Sequence, residues 1–332
     1  MTKTFLTIAR QLLTAVLLVA TATGAFGQSN RQVKIGLSSM SFPAAGPRIA
    51  KEMGLFEKQG IDARITPMET AAVATMGLLS GSLDFSAGGG ADIVVSQARG
   101  QKVVAVSNIY SGLAGVLVLS KATAEKLGDA SAPVEQRLKA LDGLTIASPS
   151  AISPFTIAYK TAGESVGAKV RFTFMAQPAM IAALETGSIQ GYIASSPFYT
   201  KSVLSGAGVI WINGPKGELP SQFTPAMAAA LATRRDFAEA NRDLVQRMAT
   251  VFTEFSKAID ERPAEVKAAI QRVFPELDQK AIDLIFTSEA VGFRGKPSVS
   301  PAVMAHEIGF VRASGIPLPQ VDSLNPEAMV FP

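Results

Sequence analysis

The sequence predicts an α/β fold arranged as two similar lobes, and three observations predict it. From residue 32 onward, short β-patterned runs alternate with longer helical ones, as βαβ units with a largely parallel sheet require. The segment 76–84 is echoed at 181–190, as a repeated supersecondary unit would be. Beyond Asp236 the pattern turns almost wholly helical, through about Ser314.

The first series opens with a strand at 33–37 and a serine-rich loop at 38–41. A helix at 47–58 follows, with Pro47 suited to its first turn and Gly60 to its C-cap. A strand at 61–65, a helix at 70–79, a strand at 83–86, a helix at 91–99 and a strand at 103–106 complete it. A strand of unusual apolarity then spans 113–120, before a polar stretch of small residues at 128–133. The second series runs strand 144–147, helix 153–162, strand 170–174, helix 178–185, strand 192–194, helix 197–204 and strand 208–212. After a loop at 213–220, residues 226–232 again read as a strand. In the echo, Leu78-Leu79-Ser80-Gly81-Ser82-Leu83-Asp84 aligns without a gap on Leu184-Glu185-Thr186-Gly187-Ser188-Ile189-Gln190. Each copy ends an apolar helix at a glycine able to take the left-handed cap.

The amino terminus reads as a secretory signal peptide: basic Lys3 and Arg10, an apolar run from 12 to about 22, and small residues around Phe26, with cleavage expected after Gly27. That run is short for a bilayer span of roughly 20 residues. No cysteine follows it to take a lipid, and the mature chain is expected to be periplasmic. The formal charge is +4, from 31 basic and 27 acidic residues. Without Lys3 and Arg10 it becomes +2, with no basic run, which offers nucleic acid no electrostatic footprint. Cysteine is absent, so disulfides, thiol catalysis and thiolate metal sites are all excluded.

A run of residues resembles a known family. Phe42-Pro43 and then Arg48-Ile49-Ala50-Lys51-Glu52-Met53-Gly54-Leu55-Phe56-Glu57-Lys58-Gln59-Gly60-Ile61-Asp62 is similar to the first helix-and-turn signature of ABC-transporter periplasmic solute-binding proteins of the nitrate/sulfonate/taurine type, the SsuA/THI5-like or NMT1-like group. The stretch ending at Asp84 is similar to the second signature, 187–198 to the third, and Ala313-Ser314-Gly315-Ile316-Pro317 to the closing helix and its exit. The resemblance implies a type II periplasmic-binding fold: two α/β lobes joined by a two-strand hinge, with solute trapped between them. Lobe 1 would comprise residues 28–115 and 226–332, and lobe 2 residues 116–225. It further implies a monomer that hands its solute to the permease and ATPase subunits of an importer at the inner membrane, with no cofactor.

In open parallel sheets, ligands bind where loops leave the carboxyl ends of strands. That rule selects Ser39, Met40, Ser41, Phe42, Glu69, Gly89, Gly90, Asn108 and Tyr110 in the first lobe, and Ser150, Ser153, Gln177, Ser196 and Phe198 in the second. Ser153-Pro154 and Ser196-Pro197 each read as an N-cap hydroxyl before a helix-starting proline, and the glycines at 88–90 let backbone amides approach a ligand. Such helix starts suit a carboxylate or sulfonate. Capping alone accounts for any one of these serines; the convergence of several loops is what points to a site. Phe42, Tyr110, Phe155 and Phe198 suit either an aromatic wall or a core. Arg48 and Arg294 are the cations nearest such loops, and an exposed role suits both. The loop before Pro197 has Ser195-Ser196 where the family often carries Glu or Trp, which favours an anionic solute.

Enzymatic readings find little to stand on. The one histidine, His306, precedes Glu307 in a helical stretch without the second histidine of a zinc-protease helix, and no Gly-x-Ser-x-Gly elbow is present. The histidine and cysteine-rich motif of related thiamine-pyrimidine synthases is missing as well. The expectation is a non-enzymatic receptor for a small organic anion, sulfonate- or carboxylate-like. A same-fold receptor feeding a membrane sensor remains the alternative.

Overall fold

The computed structural model describes residues 30–332, apart from 69, 152 and 221–225. The signal-peptide segment lies outside the described residues. Ten strands follow one another along the chain: β1 (Arg31–Leu37), β2 (Ile61–Pro67), β3 (Phe85–Gly88), β4 (Val103–Ser111), β5 (Val116–Ser120), β6 (Thr145–Ser148), β7 (Arg171–Phe174), β8 (Gly191–Ala194), β9 (Gly208–Asn213) and β10 (Met227–Arg234). They form two five-stranded sheets, of order β2-β1-β3-β10-β4 and β7-β6-β8-β5-β9.

The two sheets share one plan. β1 pairs parallel with β3 in the first, and β6 pairs parallel with β7 and β8 in the second. Each sheet then accepts a single antiparallel strand: β10 between β3 and β4, and β5 between β8 and β9. Those two strands arrive directly from the other sheet. The chain crosses at 112–115 between β4 and β5, and returns at 214–226 between β9 and β10. Backbone bonds tie the crossings together, Gly112 N–H to Ala226 O at 2.7 Å and Gly214 N–H to Gly115 O at 3.2 Å. The echoed segments occupy equivalent places. Helix Ala71–Ser80 ends at left-handed Gly81 before β3, and helix Gln177–Glu185 is followed by left-handed Gly187 before β8.

Each sheet has its own core. Val33, Ile35, Phe85 and Leu231 share the first with residues of the helix Arg242–Glu261. That helix buries Leu244, Met248, Val251, Phe255 and Ile259, a spacing of three and four that sets one apolar face toward the sheet. In the second core, Trp211 donates its indole N–H to Arg137 O, and Arg137 donates to Trp211 O and to Glu218. Tyr159 donates to Gly115 O and Ile212 O, both at 3.0 Å, so a buried hydroxyl fastens the first crossing to β9. The helix Pro301–Ala313 spans both halves, with Met304, Ile308 and Val311 in a first-half cluster and Phe310 in the second core.

Several elements depart from the sequence reading for identifiable reasons. The helix expected at 47–58 is two, Gly46–Glu52 and Leu55–Lys58, because Gly54 between them adopts φ 68°. β4 continues five residues past its expected end, stabilised by its pairing with β10. The apolar run 113–120 becomes a strand only from Val116, since its first residues make the crossing. Two short helices, Lys121–Leu127 and Val134–Lys139, were not anticipated. They bury few side chains, so their hydrophobic periodicity is weak. Among the described residues, no helix is long and apolar enough to cross a membrane.

One close approach offers a test of the first core. Tyr110 packs edge-on against Phe293 with ring centroids 4.9 Å apart, and a Cβ on Gly292 would lie 2.1 Å from Tyr110 Cζ. Overpacking of this kind costs about 1–3 kcal/mol, so Gly292→Ala should lower the melting temperature by several degrees. Gly309→Ala, where a Cβ meets nothing within 4 Å on a helix, should be neutral or slightly stabilising. Thermal unfolding of the two variants checks the contrast; equal melting temperatures would contradict the described packing.

Candidate functional site

Loops from the carboxyl ends of β1, β3, β6, β7 and β8 converge on a cavity of about 270 Å³. The first half contributes Ser39 and Ser41 after β1, Gly89 and Asp92 after β3, and Met227 and Ala228 from β10. The second half contributes Ser150, Ser153 and Phe155 around the start of helix Pro154–Ser165, Gln177 from helix Gln177–Glu185, and Ser195 after β8. Gly112, Leu113 and Ala114 of the first crossing line the cavity between them. Residues Gln32–Pro332 form one compact unit, so both walls belong to a single body.

The chemistry of the two walls differs. On the second-half side, Ser153 is the N-cap of its helix, yet its hydroxyl makes no capping bond. Gln177 Oε1 accepts the Ser195 N–H at 2.9 Å, which leaves the amide NH₂ as a donor. Two helix N-termini, of twelve and nine residues, stand behind these groups and add positive potential. On the first-half side, the Ser39 and Ser41 hydroxyls bond each other at 2.8 Å, and Asp92 Oδ2 accepts the Gly89 N–H at 3.1 Å. Among the described residues, no lysine or arginine lines the cavity.

Of the residues selected from sequence, Ser39, Ser41, Gly89, Ser150, Ser153 and Gln177 lie on the cavity wall. Others lie elsewhere. Phe42 is fully buried in the first core, edge-on to Phe293 at 5.1 Å. Asn108 and Tyr110 sit within the lengthened β4 rather than in a loop. Asn108 donates its amide to Ser111 at 2.6 Å, and Tyr110 donates to Glu289 O at 2.8 Å. Gly90 is one layer behind the wall, where a Cβ would lie 2.8 Å from Glu307 Cδ. Met40 is exposed and off the wall. Ser196 is not an N-cap, since Pro197 takes that position; it is buried, and its hydroxyl and N–H both donate to Glu289. Phe198 faces a separate surface groove with Leu204 and Leu277. Glu69 falls outside the described residues.

Arg48 donates to Val273 O and covers the Phe274 ring, while exposed Arg294 pairs with Asp260, so neither cation reaches the cavity. His306 stacks edge-on against Phe310, away from the lining. Among the described residues, no group of three or more histidine, aspartate or glutamate side chains is placed to hold a metal ion. Asp92 was missed from sequence. Its position three residues past Gly89 fits a helix-start acid serving the backbone, and nothing local marks its second oxygen as facing a cavity.

A sequence-family model described as the NMT1-like family matches residues 27–274. No curated protein matches the chain. Among solved structures, the periplasmic aliphatic sulphonate-binding protein SsuA of Escherichia coli is similar at 16% identity and TM-score 0.67, over 90% of this chain and 98% of that one. The alkanesulfonate-binding protein SsuA of Xanthomonas axonopodis pv. citri, bound to MOPS, is similar at 16% identity and TM-score 0.66, over 90% and 98%. The periplasmic nitrate-binding protein NrtA of Synechocystis PCC 6803 is similar at 13% identity and TM-score 0.59, over 90% and 86%. The fold is therefore the type II periplasmic-binding fold.

Three acids have raised pKa values: Asp92 on the cavity wall, and the fully buried Glu289 and Glu307, which bond the backbone N–H groups of Ser196 and Met227. Burial pushes Asp92 up to about 6, against the Gly89 N–H, and Glu289 up to about 7, against its bonds from Ser196. Burial likewise raises Glu307 to about 8; the Met227 N–H at 2.7 Å opposes this and the Asp92 charge adds to it. An acid whose folded pKa exceeds its unfolded value favours folding when protonated. That contribution is complete below the ordinary glutamate range and is lost as pH rises through the folded value. The melting temperature should therefore fall between pH 5 and pH 9, and Glu289→Gln and Glu307→Gln should each flatten the fall. Thermal unfolding across that range checks this; wild-type slopes in both variants would refute it.

Proposed function

The chain belongs to the NMT1-like family, and on that footing we propose that it is the extracytoplasmic solute-binding component of an ABC importer, capturing a small organic anion between two closing lobes. The carrying observation is a cavity lined from both sheets, with the first chain crossing between its walls. The proposed lobes are 28–115 with 226–332, and 116–225. Two crossing segments tied by backbone bonds suit a hinge.

The oxyanion of the solute is placed on the second-lobe wall. Ser150, Ser153 and the Gln177 amide are the donors, and the two helix N-termini supply the positive end. Phe155, Leu113 and Met227 would cover its hydrocarbon part. This role is binding rather than catalysis, with release to a permease and its ATPase after export to the periplasm. The similarity to a sulphonate-binding and a nitrate-binding protein supports an anionic solute.

The test is a thermal-shift screen of organic sulfonates and carboxylates on the mature chain, with small-angle scattering on each hit. Ligand at a hundredfold excess over Kd adds about 2.7 kcal/mol of stability, so a bound anion should raise the melting temperature by several degrees and compact the particle. Ser153→Ala with Gln177→Ala should weaken the hit at least tenfold while leaving the unliganded melting temperature within a few degrees. No shift from any anion would overturn the proposal.

A further inference from the structure

The anion-binding wall leaves the opposite wall without a stated role, and that wall carries an acid. Asp92 lines the cavity from the first turn of helix Gly90–Ala98. Among the described residues, its carboxylate has a single hydrogen bond, from Gly89 N–H to Oδ2. Oδ1 is the remaining acceptor, and among the described residues no lysine or arginine lines the cavity to pair with it. An ionised oxygen left without a donor, on a residue that lines a small cavity, is costly to leave unmatched. A purely anionic solute would add a like charge to the same space.

The layer behind Asp92 is built around a second carboxyl. Glu307 is fully buried, accepts the Met227 N–H through Oε1, and has no partner at Oε2. Gly90 is required there, because any Cβ would press on Glu307 Cδ and on Met227 Cε at 2.9 Å. Met227 and Gly89, which these two acids hold by their backbone N–H groups, are themselves cavity-lining residues. Both acids thus brace the first wall, but only Asp92 is itself a cavity-lining residue.

We propose that Asp92 is the specificity-determining residue of this site, and that it selects a bipolar solute with an oxyanion at one end and an ammonium or hydroxyl donor at the other. The oxyanion faces Ser150, Ser153 and Gln177, and the donor faces Asp92 Oδ1. Burial raises Glu307 to about 8, so near neutral pH Asp92 serves as the charged member of the two. A site that hydrogen-bonds a solute group discriminates strongly against the analogue lacking it, because its own polar group is then stranded.

The inference rests on the solute-binding reading above, and matched pairs of probes separate the two. Taurine is compared with ethanesulfonate, β-alanine with propanoate, and 3-hydroxypropanoate with propanoate, by titration calorimetry on the mature chain. In at least one pair, the donor-bearing member should bind at least tenfold more tightly to the wild type. Asp92→Asn should shrink that ratio below threefold while keeping the helix start, since the asparagine carbonyl can still accept the Gly89 N–H. Should that variant fail to fold, Asp92→Ser carries the same comparison. Equal binding within every pair, or a preference that survives the substitution, overturns the role of Asp92 and leaves the solute-binding reading standing. Absence of binding by these probes and by every anion of the wider screen overturns both.

Discussion

Everything in this molecule depends on the exchange of two strands between two sheets, one in each direction. β10 lies between β3 and β4, and β5 between β8 and β9, so each sheet encloses a strand that comes straight from the other. Neither strand sits at an edge where it could detach cheaply. The cavity is consequently crossed by a segment anchored in both sheets, with Gly112, Leu113 and Ala114 between its walls. The Tyr159 hydroxyl, shared between Gly115 O and Ile212 O, fixes the same place from within the second core.

The exchange also explains the electrostatic asymmetry of the cavity. Parallel strands deliver their following helices with N-termini toward the site, and on the second-half wall two such termini stand behind neutral donors. On the first-half wall an acid at the third helical position turns one oxygen back to its own helix start, and β10 brings Met227 against Glu307. One wall is rich in donors, and the other is braced by carboxyls. No lining cation mediates between them among the described residues.

The sequence made the alternation of elements and the positions of most strands legible, because β-patterned runs and glycine caps are local signals. Gly81 and Gly187 were readable as left-handed stops for that reason. What was not legible depends on partners distant in the chain. β4 was expected to end at 106 and runs to Ser111, since its last residues are held by pairing with β10, more than a hundred residues away. That extension moved Asn108 and Tyr110 from an expected loop into a sheet. Ser196 looked like a helix cap, and its burial against Glu289 could be seen only once two remote segments met. Asp92 was hidden differently: its local role was sufficient to account for it, and its second oxygen acquires meaning only from the far wall.

The contact between Ser196 and Glu289 has a thermodynamic side of its own. Ser196 follows β8 in the second half, Glu289 ends a helix packed on the first, and the carboxyl between them is fully buried and held near pH 7. Any movement that parts the two residues admits water to this acid, and above its ordinary range the hydrated carboxyl gives up its proton. Closing the molecule around a solute would then draw a proton from solution. The heat of binding would accordingly vary with the ionisation enthalpy of the buffer, so that calorimetry in two buffers at one pH would count the protons that accompany closure.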